Sequence, residues 1–230
     1  MTVLLVAPLH KELAFFTQGL RDRGYSATAM PLGRIAAQRF PALNLIVAHG
    51  GHGKTQFGVQ TQHLLDHTHD VEAVVCVGAA GALAEDLAVG DLVLATATVE
   101  HDYTERFSPH PLPRFVGDAA LLAALQQLPL RSLPFGVHCG IVASGDEDVI
   151  ELERAAALRQ ATEACAVAWE GAGGARACLF SGIAFLELRG ITDTADHTAP
   201  ADFAANLHVA MTNAAALIAL WREHSIGRQP

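Results

Sequence analysis

The chain has 230 residues, of which 51% are hydrophobic and 17% charged, and its formal net charge is −9. This length fits one large α/β domain spanning residues 1–230. The acidic balance excludes a nucleic-acid or anionic-membrane surface, because binding phosphate groups needs clustered lysine and arginine. No apolar stretch in the sequence approaches the ~20 residues of a membrane-spanning helix.

The first residues and the cysteines both predict a cytoplasmic protein. The N-terminal run MTVLLVAPLHKEL has neither the basic start nor the cleavage site of a signal peptide, and it predicts a buried first strand. The four cysteines show no CxxC pairing and stand in apolar surroundings, which predicts buried free thiols in a reducing compartment. They are Cys76, Cys139, Cys165 and Cys178.

Short β-type runs alternate with helical stretches along the chain. In chain order, the predicted strands are Val3–Ala7, Leu43–His49, Glu72–Val77, Asp91–Val99, Val137–Ser144 and Ala184–Ile191. The predicted helices are His10–Arg23, Lys54–Leu65, Ala119–Gln127, Val149–Glu163, Gly171–Leu179 and Ala201–Glu223.

This alternation predicts an α/β fold whose mostly parallel sheet carries helices on both faces. The sequence has no linker rich in serine, glycine or proline between two halves, so one domain is expected. The segment from Tyr103 to Gly117 is rich in proline and has little periodicity. Long irregular segments in compact domains are often binding loops or lids, and we expect this one to be functional.

Several polar clusters directly follow predicted strands: PLHKE, GGHGKT, GAAGAL and TDTAD. Ligands of open α/β sheets bind beyond the carboxyl ends of the strands. Each acid alone has an ordinary structural explanation. Glu12 and Glu170 suit a first helical turn, and Asp193 suits a turn or cap. Their shared position at strand ends favours one common site.

Two other kinds of site are disfavoured by the spacing of their residues. GGHGKT resembles a phosphate-binding P-loop, but the glycine required five residues before Gly53 is replaced by Ala48. The histidine pairs His49/His52 and His67/His69 have no convincing cluster of further ligands nearby, so surface or loop positions are expected for them. We therefore predict no metal and no cofactor.

Six segments in order resemble the phosphorylase/nucleosidase superfamily, and within it the 5'-methylthioadenosine/S-adenosylhomocysteine nucleosidases. The segments are HKEL, the GHGK turn, VGAAGAL with VGDLVLA and HD, IVASGD, WEGAGGARA and RGITDTAD. The resemblance runs from Val3 to about Leu220. It implies a three-layer α/β/α sandwich with a mixed, mostly parallel central sheet, usually assembled as a homodimer.

The resemblance also implies hydrolysis of the N-glycosidic bond of a purine nucleoside, with these roles for the matching residues. Glu12 would activate the attacking water and Asp193 would protonate N7 of the leaving base. Glu170 would bind the ribose hydroxyls, and Arg189 matches the arginine that precedes the aspartate. Gly78 belongs to the turn on the ribose side of the site.

The sequence departs from the family pattern at three places that bear on the substrate. Ala79 replaces a small hydroxyl residue, and Trp169 stands where the family usually has methionine. The segment around Val149 lacks the aromatic residue expected to stack on the base. In addition, Phe107 of the 103–117 loop is expected to cover the 5' end of the nucleoside, within its own subunit or across a dimer interface.

Three alternatives remain open at this point. A nucleoside phosphorylase would use phosphate instead of water, but the GAAGAL turn carries no arginine and Glu12 would repel phosphate. A futalosine-type hydrolase also cleaves a purine from a modified ribose. A non-catalytic binding protein could reuse the fold, although it would have no need of Glu12, Glu170 and Asp193 together.

Overall fold

The computed structural model describes residues 2–108 and 110–227, and it contains ten strands and six α-helices within these ranges. The strands are β1 (Thr2–Ala7), β2 (Thr28–Leu32), β3 (Ile35–Phe40), β4 (Leu45–His49), β5 (Val71–Ala82), β6 (Leu92–Glu100), β7 (Arg114–Val116), β8 (Val137–Ser144), β9 (Ala164–Ala168) and β10 (Ala184–Asp193). The helices are α1 (His10–Asp22), α2 (Lys54–Asp66), α3 (Ala119–Gln126), α4 (Leu152–Thr162), α5 (Gly171–Ser181) and α6 (Ala199–Ile226).

The strands form one mixed sheet in the order β10-β6-β8-β9-β5-β1-β4-β3-β2, with β7 paired to β6. Strand β10 also pairs with β5. The five strands β5, β9, β8, β6 and β10 therefore close into a ring, and β1, β4, β3 and β2 extend from it as an open wing. Parallel pairing joins β5 to β1 and to β10, whereas β10 and β6 run antiparallel.

Helices cover both faces of the sheet because alternate side chains of the buried strands are apolar on both sides. In β1, Val3 and Leu5 pack towards α1 and α6, whereas Leu4 and Val6 pack towards α2 and α5. The predicted three-layer arrangement with a mixed sheet is confirmed.

Helix α6 corrects the expectation that no segment has the dimensions of a membrane span. Its 28 residues are long and apolar enough to cross a bilayer by length and composition alone. Half of its most apolar window is buried within the protein, and the helix packs against α1 and β10. The apolar residues of α6 therefore serve the core of the domain.

The structure differs from the sequence prediction at several element boundaries. The hairpin β2–β3 was not predicted, since its strands are short and its residues largely exposed. Strand β5 continues through the glycines of GAAGA to Ala82, and β9 precedes Trp169. Helix α4 begins at Leu152 instead of Val149, and the proline-rich segment contains the short strand β7. Leu43 belongs to a 3-10 turn, and β4 begins at Leu45.

The four cysteines are free thiols, but their predicted burial is only partly correct. Cys76 and Cys178 are buried, Cys165 is half-buried and Cys139 is exposed. Cys139 lies in the first half of β8, where the strand is only partly covered.

Candidate active site

The carboxyl ends of β1, β5, β8, β9 and β10 surround a cavity of about 440 Å³. This volume is within the range of small-molecule binding sites. Glu12, Glu170 and Asp193 all line it, so the structure brings together the three acids that the sequence singled out. The other lining residues are Leu9, His52, Ala79, Ala80, Gly81, Glu147, Asp148, Val149, Ile150, Val167, Ala168, Trp169, Arg189, Thr192, Ala199, Pro200 and Phe203.

Glu12 lies in the first turn of α1, where the helix dipole favours an acid. Its carboxylate accepts hydrogen bonds from the backbone N–H groups of Leu9 at 2.8 Å and Ala79 at 2.7 Å. The residue is only 2% exposed. Burial and the neighbouring Glu170 carboxylate raise the pKa of Glu12 to about 7. Near neutral pH, Glu12 can therefore exchange a proton readily.

Glu170 directly precedes α5 and is buried. One carboxylate oxygen lies 3.3 Å from the backbone nitrogen of Gly53 and 3.3 Å from Nδ1 of His52. The other oxygen accepts from Nη2 of Arg189 at 3.3 Å. These partners come from two strand-end segments besides its own, so Glu170 is fixed from several directions.

Asp193 ends β10 and is 8% exposed. Its carboxylate accepts from the Thr192 hydroxyl at 2.7 Å and from the backbone N–H of Ala195 at 3.0 Å. Burial raises the pKa of Asp193 above its ordinary value, although both hydrogen bonds favour the charged form. A Cβ atom at Gly81 would come within 2.7 Å of Oδ1 of Asp193. Glycine is thus required for this close approach.

Arg189 is buried, lines the cavity and links Glu170 to the backbone of Ala79. Nη1 of Arg189 donates to the backbone oxygen of Ala79 at 3.2 Å. The backbone N–H of Ala79 in turn donates to Glu12. The predicted site residues Arg189 and Ala79 therefore both line the cavity. Gly78 does not belong to the described lining. A Cβ at Gly78 would lie 2.5 Å from Nη1 of Arg189 and 3.0 Å from Oε1 of Glu12, so Gly78 packs against these two side chains, and its contact with substrate stays a prediction.

The GGHGKT loop binds carboxylates of the protein itself. Lys54 donates through Nζ to Glu100 at 2.9 Å and to Asp102, and its backbone N–H donates to Asp146 at 2.8 Å. The loop therefore ties together the segments that follow β4, β6 and β8. A lysine held by two carboxylates is a poor phosphate ligand, which agrees with the sequence argument against a P-loop.

His52 and Phe203 line the cavity but were not identified as site residues from the sequence. His52 lies at an exposed loop position, as expected, and its ring also stacks on Trp169 with centroids 4.3 Å apart and an interplanar angle of 26°. Its place inside a strand-end loop was the signal that could have found it. Phe203 lies in the first turns of α6, shortly after Asp193, and supplies an aromatic ring that the Val149 segment lacks.

Val149 and Trp169 line the cavity as predicted. The Ser144 hydroxyl donates to the backbone oxygen of Trp169 at 2.7 Å and accepts from the N–H of Ala172 at 3.0 Å. This contact fixes the turn that carries Trp169 and Glu170. Phe107, in contrast, is fully exposed, and the described lining of the cavity does not include it.

The described lining is acidic: it contains five carboxylates, together with the guanidinium of Arg189 and the ring of His52. The acids belong to Glu12, Glu147, Asp148, Glu170 and Asp193. Two of them have a raised pKa, and pairs of such groups are typical of acid–base catalysis. Among the residues that the structure describes, no group of three or more histidine, cysteine or acidic side chains is arranged to hold a metal ion.

Comparison with known proteins agrees with this geometry. The family profile of the Phosphorylase superfamily matches residues 2–220. The chain is 27% identical over 226 residues to the 5'-methylthioadenosine/S-adenosylhomocysteine nucleosidase of Geobacillus kaustophilus, covering 95% of both chains. It is 33% identical over 166 residues to the aminodeoxyfutalosine nucleosidase of Helicobacter pylori, covering 69% of this chain and 71% of that one. The structure of futalosine hydrolase from H. pylori superimposes with a TM-score of 0.86 at 26% identity, covering 97% of this chain and 98% of that one.

Proposed function

The chain belongs to the phosphorylase superfamily, and we propose that it is a nucleosidase that hydrolyses the N-glycosidic bond of a purine nucleoside. The observation that carries this proposal is the meeting of Glu12, Glu170 and Asp193 in one cavity. The two relatives compared above are nucleosidases, which supports the same reaction. A non-catalytic binding protein would have no use for two buried acids of raised pKa.

Asp193 acts as the general acid. Cleavage of the bond leaves negative charge on the purine and an oxocarbenium-like charge on the ribose. Protonation of N7 neutralises the leaving base, and it requires a carboxylic acid that retains its proton near neutral pH. Burial raises the pKa of Asp193 and so favours its protonated form relative to an exposed aspartate.

Glu12 and Glu170 act on the sugar. Glu12, with a pKa of about 7, is matched to removing a proton from water at neutral pH. Glu170 accepts hydrogen bonds from the vicinal ribose hydroxyls and holds the sugar between the other two acids. Arg189 contacts one oxygen of the Glu170 carboxylate and His52 contacts the other, so the orientation of the carboxylate is fixed.

The charge of the cavity supports water over phosphate as the nucleophile. A phosphorylase needs a cationic cradle for phosphate. Here five carboxylates line the cavity, Arg189 is already bound to acids, and Lys54 is held by Glu100 and Asp102. The same charges disfavour nucleotides, so the substrate is a nucleoside without a phosphate group.

The product identifies the reaction directly. We expect the protein to release purine base and the free sugar from a nucleoside in phosphate-free buffer, with a rate that does not rise when phosphate is added. Chromatography of the products, with a reducing-sugar assay, measures both quantities. Formation of ribose 1-phosphate and a rate proportional to phosphate concentration would instead identify a phosphorylase.

The substituent on the 5' carbon is the feature that distinguishes the candidate substrates. The 5' carbon is bonded to C4', the neighbour of the carbon that carries the 3' hydroxyl. With the ribose hydroxyls bound to Glu170, the 5' carbon lies beside Glu170, where His52 and Trp169 form a flat stacked pair. This surface suits a planar or sulfur-bearing 5' substituent. Both methylthioadenosine and futalosine-type nucleosides are therefore candidates, and the similarity to aminodeoxyfutalosine nucleosidase favours including the second class in a substrate panel.

A second copy of the chain covers an exposed apolar surface formed by α2, α5 and the proline-rich segment. Arg176 of α5 lies 5.7 Å from the ring centre of Tyr103 and 5.1 Å from that of Phe115, so the 103–116 segment runs beside α5. Helix α2 packs on the same helix. The exposed apolar residues of these three elements are Val59, Tyr103, Phe107, Val116, Leu179 and Phe180. A homodimer that buries this surface brings Phe107 of each subunit towards the 5' end of the neighbouring site.

The Phe107→Ala variant tests this arrangement. We expect KM to rise roughly tenfold or more for a nucleoside with a large 5' group, because apolar contact is lost, and to change little for adenosine. Sedimentation equilibrium should show a dimer for the wild-type protein. An equal rise of KM for both substrates, or a monomeric wild-type protein, would contradict the cross-subunit role of Phe107.

The free thiols and the continuous sheet bear on the cellular compartment and the domain organisation of the enzyme. Four free thiols fit the reducing cytoplasm. The continuous sheet supports treatment of residues 1–230 as a single nucleosidase domain. Water and the nucleoside are its only proposed small-molecule reactants, with no cofactor.

A further inference from the structure

A further buried carboxylate, that of Glu187, lies below the cavity. Glu187 is on β10, two residues before Arg189, so both side chains extend from the same face of the sheet. It is 0% exposed. Nε of Arg189 donates to Oε1 of Glu187 at 2.7 Å, and the hydroxyl of Thr98 on β6 donates to Oε2. Both carboxylate oxygens are thus bound to side chains.

The guanidinium of Arg189 joins Glu187 to two groups at the cavity, the Glu170 carboxylate and the backbone of Ala79. Its Nε binds Glu187, its Nη2 binds Glu170 and its Nη1 binds the backbone oxygen of Ala79. The five N–H groups of a guanidinium form a rigid planar fork, so a bond at Nε sets the direction of both Nη groups. The Glu187 carboxylate also lies directly against Gly171, the residue after Glu170, where it would collide with any Cβ.

We propose that Glu187 is a positioning residue that orients Arg189 and thereby holds Glu170 in the geometry that selects a ribose with both hydroxyls. The described lining of the cavity does not include Glu187, so it acts on the substrate only through these two residues. This inference rests on the proposed function, because it takes Glu170 as the ligand of the ribose hydroxyls.

A purely structural role for Glu187 makes a different prediction. A carboxylate that only neutralises a buried arginine contributes to the stability of the fold, and its loss lowers the melting temperature without changing the choice of substrate. A residue that sets the orientation of Glu170 changes the preference for ribosides over 2'-deoxyribosides. A site that binds a hydroxyl rejects the analogue without it only while its own acceptor is correctly placed.

Glu187→Gln and Thr98→Val separate charge from orientation. Glu187→Gln keeps the shape of the side chain and removes its charge. Thr98→Val keeps the charge and removes one of the two hydrogen bonds that fix it. We expect the ratio of kcat/KM for a riboside to that for its 2'-deoxyriboside to fall roughly tenfold in Glu187→Gln, as for a weakened bond between charged groups. In Thr98→Val it should fall less, in the same direction.

Glu170→Gln and Ile218→Val complete the experiment. Ile218 is buried in α6 away from the cavity, and its variant should lower the melting temperature with an unchanged ratio. If the wild type shows no preference for ribosides, or Glu170→Gln retains it, the role of Glu170 is wrong and this inference falls with it. If Glu170→Gln loses the preference while Glu187→Gln and Thr98→Val both keep it, the inference alone is overturned. Should Glu187→Gln not fold, Thr98→Val decides.

Discussion

Replacing Asp193 with asparagine should lower kcat by roughly 10²- to 10⁴-fold, the usual loss when a general acid is removed. Asparagine has the shape of the aspartate side chain and can still accept a hydrogen bond from Ala195, so the nucleoside should bind with little change in affinity. Single-turnover release of base and equilibrium binding of the nucleoside measure the two effects separately. A variant with a kcat within a few-fold of wild type would remove Asp193 from the mechanism.

Asp196→Asn is the matched control for that variant. Asp196 belongs to the same TDTAD segment, but it is bound to Thr194 and Thr198 and does not belong to the described lining of the cavity. Those hydrogen bonds lower the pKa of Asp196 to about 2, so it is charged at neutral pH and cannot donate a proton. Its variant should keep kcat within a few-fold of wild type.

Glu12→Gln should lower kcat by a similar factor, roughly 10²- to 10⁴-fold, because glutamine cannot take a proton from water. The amide also loses one of the two acceptor oxygens that bind Leu9 and Ala79, so a small loss of stability is expected. Base release and the melting temperature are both measured. An active Glu12→Gln variant would show that another group activates the water.

The pH profile of the wild-type enzyme gives an independent check on Glu12. A general base must be deprotonated to work, so the pKa of about 7 predicts that kcat/KM falls as the pH drops below about 7. This acidic limb should disappear in Glu12→Gln. The proton of Asp193 acts in the opposite direction: its loss, at a pH above the ordinary pKa of an aspartate, should lower kcat/KM. The two effects of pH on kcat/KM have opposite directions because Glu12 works without its proton and Asp193 works with it.

The clustering of the three acids in one cavity followed from the sequence more closely than the shape of the sheet did. Glu12, Glu170 and Asp193 stand at or shortly after the ends of buried strands, and that placement alone brings them to one edge of the sheet. The contact of His52 with Glu170 and Trp169 could not be predicted, because it depends on how the β4 loop reaches across to the segment after β9. Phe203 was missed because a single aromatic residue in a long helix has no distinguishing pattern.

The buried connections below the cavity were also beyond sequence analysis. Glu187 lies in an apolar strand with no motif around it, and its significance depends on its contacts with Thr98 and Arg189, which are far apart along the chain. Strand β5 was predicted too short because its second half contains two glycines. Glycine is needed at both positions because side chains of Arg189, Glu12 and Asp193 occupy the space next to them.

The closure of β10 between β5 and β6 determines when this enzyme can become active during its synthesis. Asp193 and Arg189 are carried by the last strand of the chain, and their partners Gly78 and Gly81 are on β5, made much earlier. Pairings between distant segments form late in folding because a long loop must close first. A nascent chain on the ribosome therefore lacks the proposed proton donor and the central arginine until the sheet closes, and chemical competence arrives together with the completed fold.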